Sequence, residues 1–384
     1  WEDGVEAALP DEFYSSEFIV DKMIEYLEAT NADLPFFAYL PFQAIHIPVQ
    51  APSEFIAKYD GVYDEGWHAL RQARYERAQD LGLFLPGAPL APMPDTARTW
   101  EILCDEDRVL YTSMMEVNAA MLEAMDFHIG SFIEYLKAQG AYDNSIFVVT
   151  SDNGPEYNRG DRDWRLKLWQ ATNGYNIDPE RAGLEGSWGF IGPEWAAAAA
   201  SPGALYKFYA TEGGIRAPLI IAGPSVEPMK VGSPAMVTVI APTLLDWISV
   251  PVAPETAKPM TGRSLLPILK GEAESVYAPN DVRALEVSGN SALYKGDYKI
   301  TRSMPPVGTG EWQLFNMAVD PGETPDLRTQ NPEKLAELIA VAQNSIQRFM
   351  QNNRGLLVML ALVLLILLYG IWRLGRMIWR RVNG

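Results

Sequence analysis

A single cysteine, Cys104, stands in 384 residues. It can form no intrachain disulfide and no cysteine-built zinc centre. Histidine is almost as scarce, so imidazole chemistry can come only from His46, His68 or His128. Basic side chains run short, with 31 Lys and Arg against 49 Asp and Glu and a net charge of −18. So acidic a chain repels phosphate backbones, which disfavours nucleic acid as a partner. Internal repeats and low-complexity tracts are absent. Hydrophobic residues at 48% and charged residues at 21% are ordinary for a globular chain. An initial methionine is lacking too: Trp1 opens the chain and no basic-then-apolar leader follows. The expectation is a processed chain or a fragment lacking its N-terminal part.

Acidic residues are missing from the end. Residues 354–384 hold Arg354, Arg373, Arg376, Arg380 and Arg381 and no Asp or Glu, so the body before them carries 26 basic and 49 acidic side chains, a net −23. Within this tail, 355–372 reads GLLVMLALVLLILLYGIW, 18 residues without a charge. Such a run nearly spans a bilayer core, and Trp372 and Trp379 suit its interface. A buried core helix is the alternative, but core helices are seldom apolar on every face. We expect a transmembrane anchor over 354–384, with the lipid bilayer as partner. The arginines after it favour a cytoplasmic C-terminus and a periplasmic or extracytoplasmic body.

Within the body, 16–29 and 106–139 have the apolar spacing of amphipathic helices, and 237–248 and 332–350 also read as helices. The runs 35–40 (PFFAYL), 145–150 (SIFVVT) and 219–222 (LIIA) read as buried strands. Helices alternating with apolar strands predict an α/β fold with a mainly parallel, doubly wound sheet over 1–280. The short alternating runs after 281 predict a small antiparallel C-terminal subdomain over 281–353. Residues 157–203 read as loop, rich in Trp, either lining a site or packing onto the core.

Several weak chemical signals lie at strand ends, where open α/β sheets gather ligands. Ser151-Asp152-Asn153-Gly154 follows a strand directly. Asp152 and Asn153 offer hard oxygens suited to Ca²⁺ or Mg²⁺, although Asp-Asn-Gly alone reads more simply as a turn. His46 sits among prolines after a strand, able to donate a proton or bind an anionic oxygen, yet a lone His is more often structural. Lys207, five residues before EGGIR, could hold an anion, yet lysines usually lie solvated. Together they suit an oxyanion ester held by a metal and a lysine, with a histidine serving the leaving group.

At PFFAYLPFQAIHIPVQAP, VVTSDNGPE and YKFYATEGGIRAPLIIAGP, the chain resembles the sulfatase family, particularly bacterial arylsulfatases of the alkaline-phosphatase superfamily. Weaker matches are APTLLDWISV and LFNMAVDPGETPDL, and the resemblance runs over about 13–350. It implies a sulfuric ester hydrolase acting on a small sulfate monoester. Asp152 and Asn153 would be two ligands of a Ca²⁺ or Mg²⁺ ion. Lys207 would bind sulfate, and His46 would lie beside the sulfate and the leaving oxygen. The family's nucleophile is a formylglycine made within a C/S-x-P-x-R motif, and that motif is absent here. The chain alone is therefore expected to be inactive. The alternatives are a phosphodiesterase or phosphonate ester hydrolase of the same superfamily, and a catalytically inactive sulfatase-like membrane protein.

Overall fold

The computed structural model describes residues 2, 4–30, 34–251 and 260–352. Its backbone is α4 (Asp105–Ala138), preceded by α1 (Ser15–Glu28), α2 (Ser53–Ile56) and α3 (Gly66–Asp80). Apolar residues recur along α4 at helical spacing. Met114, Val117 and Met121 therefore pack beneath Val49 and Phe55, while Phe132 and Leu136 near its end receive Val20 of α1. After α4 come β1 (Phe147–Thr150), α5 (Trp164–Thr172), α6 (Gly192–Ala199), α7 (Glu212–Ile215), β2 (Leu219–Ala222), α8 (Ile240–Trp247) and α9 (Leu266–Leu269). An aromatic core joins α3, α4 and α6. Trp67 meets Trp195 edge-on with ring centroids 5.6 Å apart, and Tyr111 and Phe190 close the cluster. Trp195 donates its indole hydrogen to the Tyr111 carbonyl at 3.0 Å, which satisfies the one polar atom such a ring must bury.

Beyond these lie β3 (Val282–Val287), β4 (Asn290–Lys295), β5 (Tyr298–Arg302) and β6 (Gln313–Asn316), an antiparallel sheet in sequential order. The final helix α10 (Pro332–Asn352) lays Leu338 and Ala342 against Leu293, Ile300 and Leu314 of that sheet.

Several expectations need correction. Among the described residues there is no parallel sheet: β1 pairs with β2 antiparallel, Phe147 opposite Ala222 and Thr150 opposite Leu219. The two strands are also not buried, with Val149 44% and Ile220 60% exposed, because no described layer covers that face. Residues 35–40 form no strand. Phe37 and Tyr39 lie exposed, since an apolar run becomes a strand only with a ladder partner. The supposed loop 157–203 contains α5 and α6. The expected anchor over 354–384 lies outside the described residues. Among the described residues, no helix is long and apolar enough to cross a membrane.

Candidate active site

Three separate segments meet at the end of β1. The loop after this strand is pinned by Gly154, whose N–H donates to the Gly214 carbonyl at 2.8 Å. A Cβ on Gly154 would lie 1.9 Å from the Gly213 carbonyl oxygen, so this glycine is required for close backbone approach. Gly213 is as tightly held, since a Cβ there would lie 2.1 Å from the Leu205 oxygen. Glycines in SDNGPE and TEGGIR thus let two loops and the segment before Lys207 stack backbone on backbone. The Lys207 N–H then donates to the Pro155 carbonyl at 3.1 Å.

The buried arginine Arg71 supports the same segment from behind. It donates to the carbonyls of Ala91, Ala197 and Gly203, the last at 3.1 Å. Burial lowers its pKa to about 10, but it remains charged at neutral pH.

This packing brings Lys207 to Glu156 and His46. The Lys207 ammonium lies 2.8 Å from Glu156 Oε2 and donates to His46 Nε2 at 2.9 Å. Glu156 Oε2 is 3.6 Å from the same imidazole nitrogen. His46 Nδ1 lies 2.8 Å from the Ile47 carbonyl, an acceptor only, so the ring proton sits on Nδ1 and Nε2 receives the lysine. Asn158 donates to Glu156 Oε1 from its backbone at 3.0 Å and its side chain at 2.6 Å. The carboxylate is 8% exposed, the lysine 15% and the imidazole 56%, so a buried anchor holds a cation beneath an open histidine.

Asp152 and Asn153 stand at the tip of the same loop. The Asn153 amide donates to the Gly154 carbonyl at 3.0 Å, and Asp152 is exposed. These hard oxygens fit Ca²⁺ or Mg²⁺ in kind, but such ions take six or more oxygens. Among the described residues, no three His, Cys, Asp or Glu side chains gather around one point.

Glu156 was missed in the sequence, although it lies in the quoted VVTSDNGPE run. Its signal was an acidic residue four positions beyond Asp152, and nothing in one chain of letters pairs it with Lys207. Arg216 ion-pairs with Glu212 across one helical turn at 3.7 Å. His68 lies on the exposed side of α3, and His128 is buried in α4 against Phe127 and Tyr14. Of the four tryptophans at 164–195, Trp195 belongs to the core, while Trp169 and Trp188 pack on each other and on Tyr175.

The family model for sulfatases matches residues 2–250. The chain belongs to the sulfatase family. An uncharacterized sulfatase of Schizosaccharomyces pombe is 36% identical over 339 residues, covering 85% of this sulfatase chain and 60% of the relative. The arylsulfatase of Klebsiella aerogenes is 34% identical over 272 residues, covering 68% of this chain and 58% of its own. The chain thus spans somewhat over half the length of these relatives. Among solved structures, Ps i-CgsB in complex with k-i-k-neocarrahexaose aligns over 89% of this chain and 56% of its own, with a TM-score of 0.57 and 19% identity, a likeness of fold.

Proposed function

We propose that this sulfatase chain carries the anion-binding and leaving-group side of a sulfuric ester hydrolase acting on a small sulfate monoester. The supporting observation is the convergence of His46, Glu156 and Lys207 from three segments, with Glu156 four residues after Asp152 in the chain. In this reading a sulfuryl oxygen takes the Lys207 ammonium away from His46 Nε2. That nitrogen, once protonated, faces the ester oxygen and donates to the departing alcohol. Glu156 keeps the lysine in place and supports the imidazolium. A Ca²⁺ or Mg²⁺ ion at Asp152 and Asn153 would neutralise sulfate charge. The attacking group is not encoded in these residues, so the chain alone binds sulfate without turning over an ester.

In the native enzyme containing this chain, Lys207→Ala and His46→Ala should each lower kcat/KM on an aryl sulfate by about 10²-fold or more. Near-normal rates in either variant refute its role. Matched sulfate and phosphate esters, compared on the same preparation, separate sulfate from phosphorus preference.

A further inference from the structure

Lys207 sits in a stretch of chain bent against its preference. Leu205 has φ +57° and Phe208 φ +74°, left-handed conformations that bulky side chains rarely adopt and that persist only where surrounding contacts impose them. Some of those contacts are local. The Gly213 N–H donates to the Ala204 carbonyl at 2.9 Å, and the Thr211 hydroxyl donates to the same oxygen at 2.7 Å.

Two others come from the C-terminal subdomain, and both reach backbone atoms. Asn290 of β4, 5% exposed, donates its amide to the Phe208 carbonyl at 2.8 Å, while its oxygen accepts from the Met304 N–H at 2.8 Å. Glu323, in the turn after β6, accepts from the Glu212 N–H at 2.8 Å, where α7 begins. Glu323 itself has φ +53°, a conformation natural to glycine, although its side chain is only 1% exposed. Its turn is fixed on two sides. Asp320, 1% exposed, accepts from the Thr324 N–H at 2.9 Å, and a Cβ on Gly322 would lie 2.6 Å from the Pro89 carbonyl oxygen. Pro89 leads into Ala91, whose carbonyl Arg71 binds together with that of Gly203. Gly213 and Gly214 follow Glu212 at once, and against them rest the Leu205 carbonyl and the Gly154 N–H. A displacement at Glu212 is therefore carried to both loops of the site.

We propose that Asn290 and Glu323 are positioning residues: from the C-terminal sheet and its following turn they hold the backbone of 204–214, and thereby set where the Lys207 ammonium meets an anion. The proposal rests on the sulfate reading of Lys207 and deepens it. A turn glutamate in a glycine conformation and a buried amide reaching a neighbouring segment both carry a local cost in stability, which the fit of the Lys207 segment explains.

The test uses the full chain at pH 8, with two variants that cut these contacts and spare their neighbours. In Glu323→Gly the positive φ is eased and Lys299 keeps Glu212 at 2.8 Å. In Asn290→Asp the carboxylate still accepts from the Met304 N–H but has no hydrogen for the Phe208 carbonyl. Hydrogen exchange followed by mass spectrometry should show peptides over 153–157 and 203–214 opening about ten-fold more readily in both variants, as the loss of one buried hydrogen bond allows, while peptides over 291–301 keep the parent rate. Inorganic sulfate, titrated by calorimetry, should bind several-fold more weakly to both variants and not at all to Lys207→Ala. Unchanged exchange over 203–214 overturns the proposal. So does an equal rise over 291–301, which would make the two side chains supports of the sheet alone, or parent-like sulfate affinity in both variants where Lys207→Ala has lost it. If exchange rises only in the site peptides while the parent fails to bind sulfate, or Lys207→Ala binds it as the parent does, the positioning stands and the sulfate-ester reading falls.

Discussion

Glu156 sets the chemistry of its two neighbours more than either sets its own. The Glu156 carboxylate, 2.8 Å from the Lys207 ammonium, occupies the position an incoming anion would seek. Glu156→Gln removes that competitor while keeping the side-chain shape. Inorganic sulfate should then raise the melting temperature of the variant more than that of the parent, with an apparent affinity several-fold tighter. A weaker sulfate response would defeat the competition argument. His46 and Lys207 were visible in the sequence because rare residue types stood beside prolines and glycines. Glu156 was not, because one carboxylate among 49 acidic residues has no signature until folding places it.

At the scale of elements, α7 is welded to the C-terminal sheet by a buried cluster. Lys299 of β5, fully buried, lies 2.8 Å from Glu212 of α7 and 2.8 Å from Glu323, and Tyr294 of β4 donates to Glu212. The Glu212 N–H donates to Glu323 at 2.8 Å. Burial works to lower the Lys299 pKa, but the two carboxylates hold it well above the ordinary value. Burial also works to raise Glu212, and Lys299, Tyr294 and Arg216 outweigh it and hold that group low. Glu323, facing the same ammonium with the Glu212 charge beside it, is pushed up to about 7, chiefly by burial.

From its ordinary value up to about 7, folded Glu323 keeps a proton that the unfolded chain has released. Stability from this group therefore falls as pH rises through that window, by roughly 3 kcal/mol in all. The low Glu212 acts oppositely, contributing stability above its ordinary range that is lost on acidification through its folded pKa. Denaturant unfolding at pH 5.5 and 7.5 should show the loss with rising pH, and Glu323→Gln should flatten it. An unchanged slope in the variant would refute the assignment. Lys299→Met, which strands both carboxylates, should cost about 3–5 kcal/mol at neutral pH. The helices α1, α4 and α10 could be read from their apolar period. The pairing of β1 with β2 could not, because four apolar letters do not name a partner, and α3 escaped because little beyond Gly66, Trp67 and Arg71 is buried along it.

The whole sequence divides by charge between an acidic body and a basic, apolar end. The uncharged run 355–372 would be about 27 Å long as a helix, close to the roughly 30 Å of a hydrocarbon core. The body carries its own apolar surface at Phe37, Tyr39, Val149 and Ile220, which could adhere to lipid without crossing it. Alkaline carbonate separates these cases, because it strips surface-adhering proteins and leaves spanning helices in the pellet. We expect the full chain to stay with the membrane in carbonate and a chain ending at Asn353 to be released. Release of both would show that the tail does not span. Retention of both would assign the attachment to the exposed face of β1, β2 and residues 36–39, and lysines at Phe37 and Ile220 should then free the shortened chain.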